Sequence, residues 1–425
     1  MKEDAAAPDT PASVPPPLAS LCVLPWIHVY IGTTGFVQLC CVSGTGQNAP
    51  PVLGTIRDNS LLDLFNTERI VNVRQQMLTG TWPTECLYCQ KKEALGIKSS
   101  RQVHNEIHKS HYWQLLTDPR RFIPKIRSID LRINNICNFK CRSCCGYSSS
   151  RWFIEHNLIY PHIGMPKSVI GIDDLQSFWD EFNRCIMSGL ENVHIAGGEP
   201  LVSEAHYILL ENLINFNKTD VELYYDTNLS QLTFKTWDVV KLWNRFSNLT
   251  ICLSLDGVGV QGEYIRHGLN YKQWVKNLET IKRDVPHAKR KMHFVVSIFN
   301  VMNLRTHLLT IMENGFVTPE RLRLTFLEWP PYMNVQVLPQ ALKTECERGL
   351  REMIQDEQGL GNAVLNQIKA LIQFLKERNL YEEHGGDFTS KVAILDRLRG
   401  ENAMALFPQL EPVLRHNTKQ RGSAK

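Results

Sequence analysis

The sequence has no apolar run long enough to cross a membrane. It has no large excess of either charge: 47 Lys and Arg stand against 43 Asp and Glu, for a formal net charge of +4. That balance gives no electrostatic case for a nucleic-acid or membrane partner, and neither is expected. No charged-then-apolar signal segment opens the chain, so a reducing, cytoplasmic setting is expected. His104, His108 and His111 fall at helical spacing, but the segment is polar and lacks an HExxH pattern. A solvated helix face is expected there, and no histidine is assigned to a metal. Cysteine is what the chain does have, with twelve in 425 residues. In a reducing setting that number points to metal ligation rather than disulfides. At 43% hydrophobic and 21% charged residues, the remainder reads as a globular protein with room for two or three domains.

Residues 1–20 are rich in Ala and Pro and hold almost no large apolar side chains, so a disordered leader is expected. The runs Trp26 to Ile31 and Phe36 to Cys41 flank Gly32-Thr33-Thr34-Gly35 and predict a β-hairpin. Cys22 precedes the first strand and Cys40 ends the second, so both come to one end. Cys40 and Cys41 compete for one place, since neighbouring strand residues point to opposite faces, and the spacing Gly35-x4-Cys40 decides for Cys40. Cys86-Leu87-Tyr88-Cys89 adds a CxxC pair. Four thiolates, from Cys22, Cys40, Cys86 and Cys89, can then close around one metal or cluster; a zinc site on the same hairpin is the alternative. Ser60 to Leu78 has apolar residues at helical spacing and is expected to pack over this site.

From about Ile126 the pattern changes. Six β-rich runs follow: Ser128 to Ile133, Asn192 to Ala196, Val221 to Tyr225, Leu249 to Leu255, His293 to Phe299 and Leu322 to Leu327. Helix-like stretches separate them, at 173–190, 203–216, 233–246, 271–283 and 304–314. Alternating strands and helices predict βαβ units on a parallel sheet, and six of them suit a partial (β/α)6 TIM-like barrel. Chemistry in such folds sits at the C-terminal ends of strands. Beyond residue 331, amphipathic helices are expected at 339–355 and 363–378, with two more at 392–399 and 404–415. They are expected to cap the open side of the barrel or to contact substrate. The domain reading is therefore a leader at 1–20, a cysteine module at 21–101, a core at 102–331 and a helical extension at 332–425.

The strand ends carry the remaining signals. After the first comes Cys137-Asn138-Phe139-Lys140-Cys141-Arg142-Ser143-Cys144. Soft thiolates at this density select iron–sulfur clusters, zinc or copper(I), and three unevenly spaced ligands leave a fourth position open. After the second comes Gly197-Gly198-Glu199-Pro200, after the third Asp226-Thr227-Asn228, and after the fourth Ser254-Leu255-Asp256-Gly257 with Arg266 beyond it. Cys145 reads as a bystander of the three-cysteine loop. Cys185, Cys252 and Cys346 have no local cysteine partner, and Cys185 and Cys252 read as buried small hydrophobes.

This CxxxCxxC resembles the signature of the radical S-adenosylmethionine (SAM) superfamily, and the hairpin, Gly-x4-Cys and CxxC before it resemble the SPASM/twitch auxiliary-cluster domains of that superfamily. The resemblance implies a [4Fe-4S] cluster on Cys137, Cys141 and Cys144, with SAM completing it. It also implies SAM contacts from Gly197, Gly198, Glu199, Pro200, Asn228, Ser254, Asp256 and Arg266. A second, auxiliary [4Fe-4S] cluster falls to Cys22, Cys40, Cys86 and Cys89. The reaction implied is reductive cleavage of SAM to a 5′-deoxyadenosyl radical that abstracts hydrogen from a peptide, protein or small natural-product precursor. A flavodoxin or ferredoxin would be the electron donor, and the auxiliary cluster an electron acceptor. Two alternatives stand beside this: redox-neutral epimerisation or isomerisation with a structural auxiliary cluster, and a zinc-stabilised binding protein without catalysis. Two departures from the family pattern are Leu229, where a glycine usual to the TN(G) motif is replaced, and the small Ser143 inside the cysteine loop.

Overall fold

The computed structural model describes residues 19–44, 53–94, 96, 98–164, 169–356 and 359–415. The expected leader, apart from its last two residues, and the polar C-terminal end lie outside that set. The chain divides into two compact units, one of residues 1–30 and 36–128, the other of 31–35 and 129–425.

In the first unit the chain enters through a helical turn, Leu24–Ile27, with Pro25 in its first turn where a missing N–H is harmless. Strand β1 (His28–Ile31) therefore starts two residues later than the aromatic run suggests. Strand β2 (Phe36–Gln38) stops short of Cys41, because Cys40 turns the chain and its carbonyl accepts from the Ser43 N–H at 3.1 Å. It pairs antiparallel with β3 (Gly54–Thr55). The expected helix over 60–78 is two helices. Ser60 caps the first, Leu61–Leu64, and the chain breaks around Asn66 and Thr67 before Glu68–Leu78 begins. Arg74 is buried in that second helix and donates to the Pro25 and Phe65 carbonyls at 2.9 and 3.0 Å. Three further helices follow, Leu87–Ala94, Ser100–Ile107 and Lys109–Thr117; the middle one starts at a capping box on Ser99 and Gln102. His108 is buried, and its ring stacks on that of His104 at 6.1 Å between centroids, so the solvated face expected there is not what forms.

The second unit is built on six strands: β4 (Ser128–Arg132), β5 (Asn192–Ala196), β6 (Glu222–Thr227), β7 (Asn248–Ser254), β8 (Lys289–Val296) and β9 (Leu322–Phe326). They lie side by side in chain order, and β5 to β9 pair in parallel. One face is a continuous apolar layer that includes Val193, Ile195, Leu223, Tyr225, Ile251, Leu253, Met292 and Phe294, all buried. Between them, His194, Tyr224, Asp226 and His293 are half-buried and polar, and Cys252 is buried. The architecture is α/β with a parallel sheet, as the alternating pattern predicts.

Several helices differ from their sequence outlines. The 173–190 stretch starts at Gln176 and passes through a five-residue π turn, Phe182–Ile186, before a final 3-10 turn. Cys185 lies on that turn and is exposed rather than buried. The 233–246 stretch is mostly not helical. Thr233–Phe234 pairs with Trp237–Asp238 around a left-handed Lys235, and only Val239–Trp243 is helix, capped by Asp238. Beyond the sheet, Gln340–Asp356 and Gly361–Glu377 match expectation. The third helix runs from Tyr381 to Arg399, more than twice its expected length, because Gly385 and Gly386 do not interrupt it. None of the helices among the described residues is long and apolar enough to cross a membrane.

Candidate iron–sulfur and cofactor sites

In the first unit Cys22, Cys40, Cys86 and Cys89 line one cavity, together with Ser43, Glu85 and Arg101. Two devices place Cys22. The buried Asn105 side chain accepts from the Val23 N–H at 2.9 Å and donates to the Leu21 carbonyl at 2.8 Å, so it grips the chain on both sides of the cysteine. Arg101 adds a bond to the same Leu21 carbonyl at 2.9 Å and pairs with Glu93 at 2.7 Å. The CxxC sits where a 3-10 turn, Thr84–Cys86, passes into the helix Leu87–Ala94. Cys40 faces the cavity and Cys41 is exposed.

Burial raises all four thiols, Cys22 to about 12, and each of Cys22, Cys40 and Cys86 is raised further by the nearness of other cavity thiols. Four clustered, buried thiols without a disulfide stay protonated unless a cation takes their charge. The donor set thus fits a thiolate-bound metal or cluster.

In the second unit the loop after β4 carries Cys137, Cys141 and Cys144, and their sulfurs are close enough to raise one another's thiols electrostatically. Burial is the larger cause in each, and it takes Cys137 to about 12. The loop is held as a short ladder: Lys140 N–H donates to the His267 carbonyl at 2.7 Å, and Arg142 N–H to the Ile265 carbonyl at 2.8 Å. Those two bonds bracket Arg266 and bring its guanidinium beside Cys141. Asp256 holds Arg266 at 2.7 Å through one carboxylate oxygen and accepts the Val295 N–H at 3.0 Å on the other. The buried Asn300 side chain donates to the Asp256 carbonyl at 2.9 Å and so fixes the loop after β7 to the end of β8. Arg266 keeps one buried nitrogen, Nε, without a partner. An orphaned guanidinium N–H beside three thiols fits a carboxylate-bearing ligand.

The Gly-Gly-Glu-Pro loop packs directly on the approach to the first cysteine. Gly198 N–H donates to the Asn134 carbonyl at 2.9 Å, and Glu199 N–H to the Ile136 carbonyl at 2.7 Å. A Cβ at Gly198 would stand 2.1 Å from the Ile136 oxygen, and Gly197 has φ of 123°, so here the glycines serve close packing of backbone on backbone. Gly198→Ala is expected to lower stability by about 1–3 kcal/mol, as overpacking against rigid main chain does, read as a shift in the denaturant midpoint at unchanged slope. Pro200 is buried in the turn that follows.

Glu199 is buried, and burial pushes its carboxyl up to about 7 despite three donors: Leu201 N–H at 3.0 Å, the Thr227 hydroxyl at 2.7 Å and Asn228 N–H at 2.5 Å. Its oxygens therefore tie the loop after β5 to the loop after β6. The Asn228 side chain donates to Asn138, inside the cysteine loop, at 3.0 Å. Leu229 takes the left-handed conformation, φ 52°, that glycine usually supplies, and it does so fully buried. Burial of the leucine offsets roughly 1–2 kcal/mol of backbone strain. Ser254 is half-buried at the end of β7, in register with His293.

Residues 22–90 match the SPASM family, described as an iron-sulfur cluster-binding domain. That segment is similar to iron–sulfur modules of the SPASM kind. The match spans the hairpin and the four cysteines that line the cavity. No curated protein matches the chain by sequence. Among solved structures the chain is similar to native anSMEcpe with bound AdoMet, at 16% identity and a TM-score of 0.36, covering 52% of this chain and 58% of that one. It is also similar to native anSMEcpe with bound AdoMet and Cp18Cys peptide, at 15% and 0.37, covering 56% and 63%. A third is Streptococcus suis SuiB bound to the precursor peptide SuiA, at 14% and 0.34, covering 64% and 60%. The chain spans about three-fifths of the length of these proteins.

Some residues that shape the second site carry no motif. Arg142, inside the cysteine loop, is 1% exposed and pairs with Asp396 and Glu401, each at 2.5 Å, with its guanidinium 3.7 Å over the Tyr264 ring. Lys140 pairs with Glu155, and Glu155 also holds the fully buried Arg399 at 2.6 Å. His267 pairs with Glu401 at 2.7 Å. The Tyr381–Arg399 helix, with Glu401 just beyond it, therefore grips the loop through two ion-pair groups, and Arg399 is close enough to Cys141 to favour its thiolate. In the sequence Lys140 and Arg142 flank Cys141. The partners of Arg142, Asp396 and Glu401, and the Arg399 that reaches the loop through Glu155, lie more than 240 residues further along the chain and were not legible.

Proposed function

We propose that the chain is a radical SAM enzyme whose SPASM module holds an auxiliary [4Fe-4S] cluster, and that its substrate is a peptide or protein. The observation that carries the reading is the meeting, in the loops that follow the strands, of three thiols with Arg266, whose buried Nε lacks a partner. On this reading Cys137, Cys141 and Cys144 hold the SAM-binding cluster, and Cys22, Cys40, Cys86 and Cys89 the auxiliary one. Arg266 takes the SAM carboxylate, kept in place by Asp256. Glu199 and Asn228 hold the adjoining loops in register around the cysteine loop. Gly197, Gly198 and Pro200 set the backbone on which the amino group lies, and Ser254 borders it. The sheet is read as the wall of a partial (β/α)6 barrel, with its polar face toward the substrate. When bound, the cluster and SAM supply one-electron chemistry that generates a 5′-deoxyadenosyl radical for hydrogen abstraction. The protein's part is to shield that chemistry from water and to orient the substrate. A flavodoxin or ferredoxin would supply the electron.

An iron count tests the two-cluster assignment. After anaerobic reconstitution the wild-type chain is expected to hold about eight irons, and Cys141→Ser and Cys86→Ser about four each, because each variant empties one site. One zinc and no iron in the wild type would overturn the assignment. The electron-acceptor role of the auxiliary cluster is tested separately: Cys86→Ser should still cleave SAM but lose net oxidation of substrate, and undiminished turnover would make that cluster structural.

A further inference from the structure

The half-buried polar face of the sheet carries a group of donors that the proposed cofactor sites do not use. Asp226 on β6 stands in register with Cys252 on β7, and Cys252 with Lys291 on β8, which brings His293 to the same face two residues on. One ligand atom from each of Asp226, Cys252 and His293 lies within 4.8 Å of the other two. Asp226 Oδ1 stands 3.7 Å from His293 Nδ1, buried and without a hydrogen-bond partner. Its other oxygen is bound by His194 Nε2 at 2.8 Å, and His194 Nδ1 is in turn held by Asp130 at 3.1 Å. One carboxylate oxygen is thus clamped and oriented, and its twin is left aimed at the thiol and the imidazole.

We propose that Asp226, Cys252 and His293 bind one divalent ion of the zinc class. The donor set makes the selection. Calcium and magnesium take oxygen ligands and would not choose a thiolate, and copper(I) would not choose a carboxylate. Oxygen, nitrogen and sulfur together suit zinc, cobalt(II) or iron(II). Three protein ligands leave a fourth position for substrate or water, as catalytic zinc sites do. That position opens to solvent, since the Asp226 and His293 side chains are 25% and 36% exposed. Lys291 and Arg323 stand near the group. They do not oppose the ion, because a divalent cation with one thiolate and one carboxylate forms a neutral centre, and binding displaces the Cys252 proton. His194, held between two carboxylates, orients the Asp226 ligand without touching the metal.

Equilibrium dialysis of the full chain against micromolar zinc, with its iron sites first loaded anaerobically, tests this. The wild type is expected to take up one zinc per chain beyond its iron. Cys252→Ser and His293→Ala should weaken that uptake by on the order of 100-fold, and His194→Gln by roughly 10–100-fold, with iron content and circular dichroism unchanged. Because His293 is partly exposed, its variant keeps the test alive should Cys252→Ser not fold. No zinc in the wild type, or equal zinc in the wild type and His293→Ala, overturns the proposal. Loss of the zinc site with normal iron leaves the cluster assignment untouched, and the converse leaves the zinc site untouched.

Discussion

Replacing Arg142 with methionine is expected to destabilise the second unit by about 4 kcal/mol and, on the proposed reading, to leave the cysteine loop unable to retain iron. The guanidinium is 1% exposed, and its partners Asp396 and Glu401 are themselves only 16% and 18% exposed. Removing the arginine leaves Asp396 with only its Tyr264 hydroxyl and Ala403 N–H donors, and Glu401 with only His267, in a poorly solvated pocket; breaking one partner of a buried pair typically costs about 3–5 kcal/mol. The lower end applies because both acids keep some contact with water. Loss of the stacking over Tyr264 adds a smaller amount, on the order of 1 kcal/mol. The triple variant Arg142→Met, Asp396→Asn, Glu401→Gln should recover most of the lost stability, since the cost is stranded charge rather than the net worth of the pair. Urea unfolding of wild type, the single variant and the triple variant checks it. A single variant within about 0.5 kcal/mol of wild type would show that the Tyr381–Arg399 helix does not hold the loop through Arg142.

Lowering the pH from 7 to 5 is expected to remove about 4 kcal/mol of stability through two histidines alone. His206 and His307 are 1% and 2% exposed, and burial holds them at about 3 and about 4, well below the usual value near 6.5. His206 Nε2 shares a 2.7 Å hydrogen bond with the Tyr225 hydroxyl, and His307 Nδ1 accepts the Val258 N–H at 3.3 Å, both contacts of a neutral ring. The sign follows from the depressed folded values. Above 6.5 both rings are neutral in either state, and their contribution is fully present. Below 6.5 the unfolded chain takes up protons that the folded chain refuses, so stability falls by about 1.4 kcal/mol per pH unit for each ring until the folded values are reached. His206→Gln and His307→Gln should each be less stable at pH 7 yet flatten about half of the slope between pH 6.5 and 5. Thermal unfolding across that range checks it, and unchanged slopes in both variants would show that other groups drive the acid loss.

What could be read from the chain alone follows a physical line. The cysteine module announces itself because its ligands, turn and CxxC are local, and Gly35-x4-Cys40 places Cys40 rather than Cys41 in the cavity. The six strands were legible because their apolar runs are fully buried on one face. The 233–246 segment misled because Trp237, Val239, Val240 and Trp243 keep helical spacing, while the short ladder around the left-handed Lys235 leaves no such mark. The length of the last helix was hidden by Gly385 and Gly386, whose low intrinsic helix preference is overridden by packing. Cys252 could be recognised as buried but not as the neighbour of Asp226 and His293, since that depends on the register between strands 26 and 41 residues apart. Nothing in the sequence links Arg142 to Asp396, because pairing at that separation is a property of the folded sheet and its covering helix.

The central claim is that the thiols of Cys137, Cys141 and Cys144, with Arg266 beside them, form a site for SAM on an iron–sulfur cluster. Its most direct test is an anaerobic assay of the reconstituted, dithionite-reduced chain with SAM, following 5′-deoxyadenosine by mass. Wild type and Cys86→Ser are expected to release it, Cys141→Ser to release none, and Arg266→Lys to need roughly tenfold or more SAM, since an ammonium cannot replace the two-pronged guanidinium. Release from Cys141→Ser at the wild-type rate, or none from an iron-replete wild type, would contradict the account.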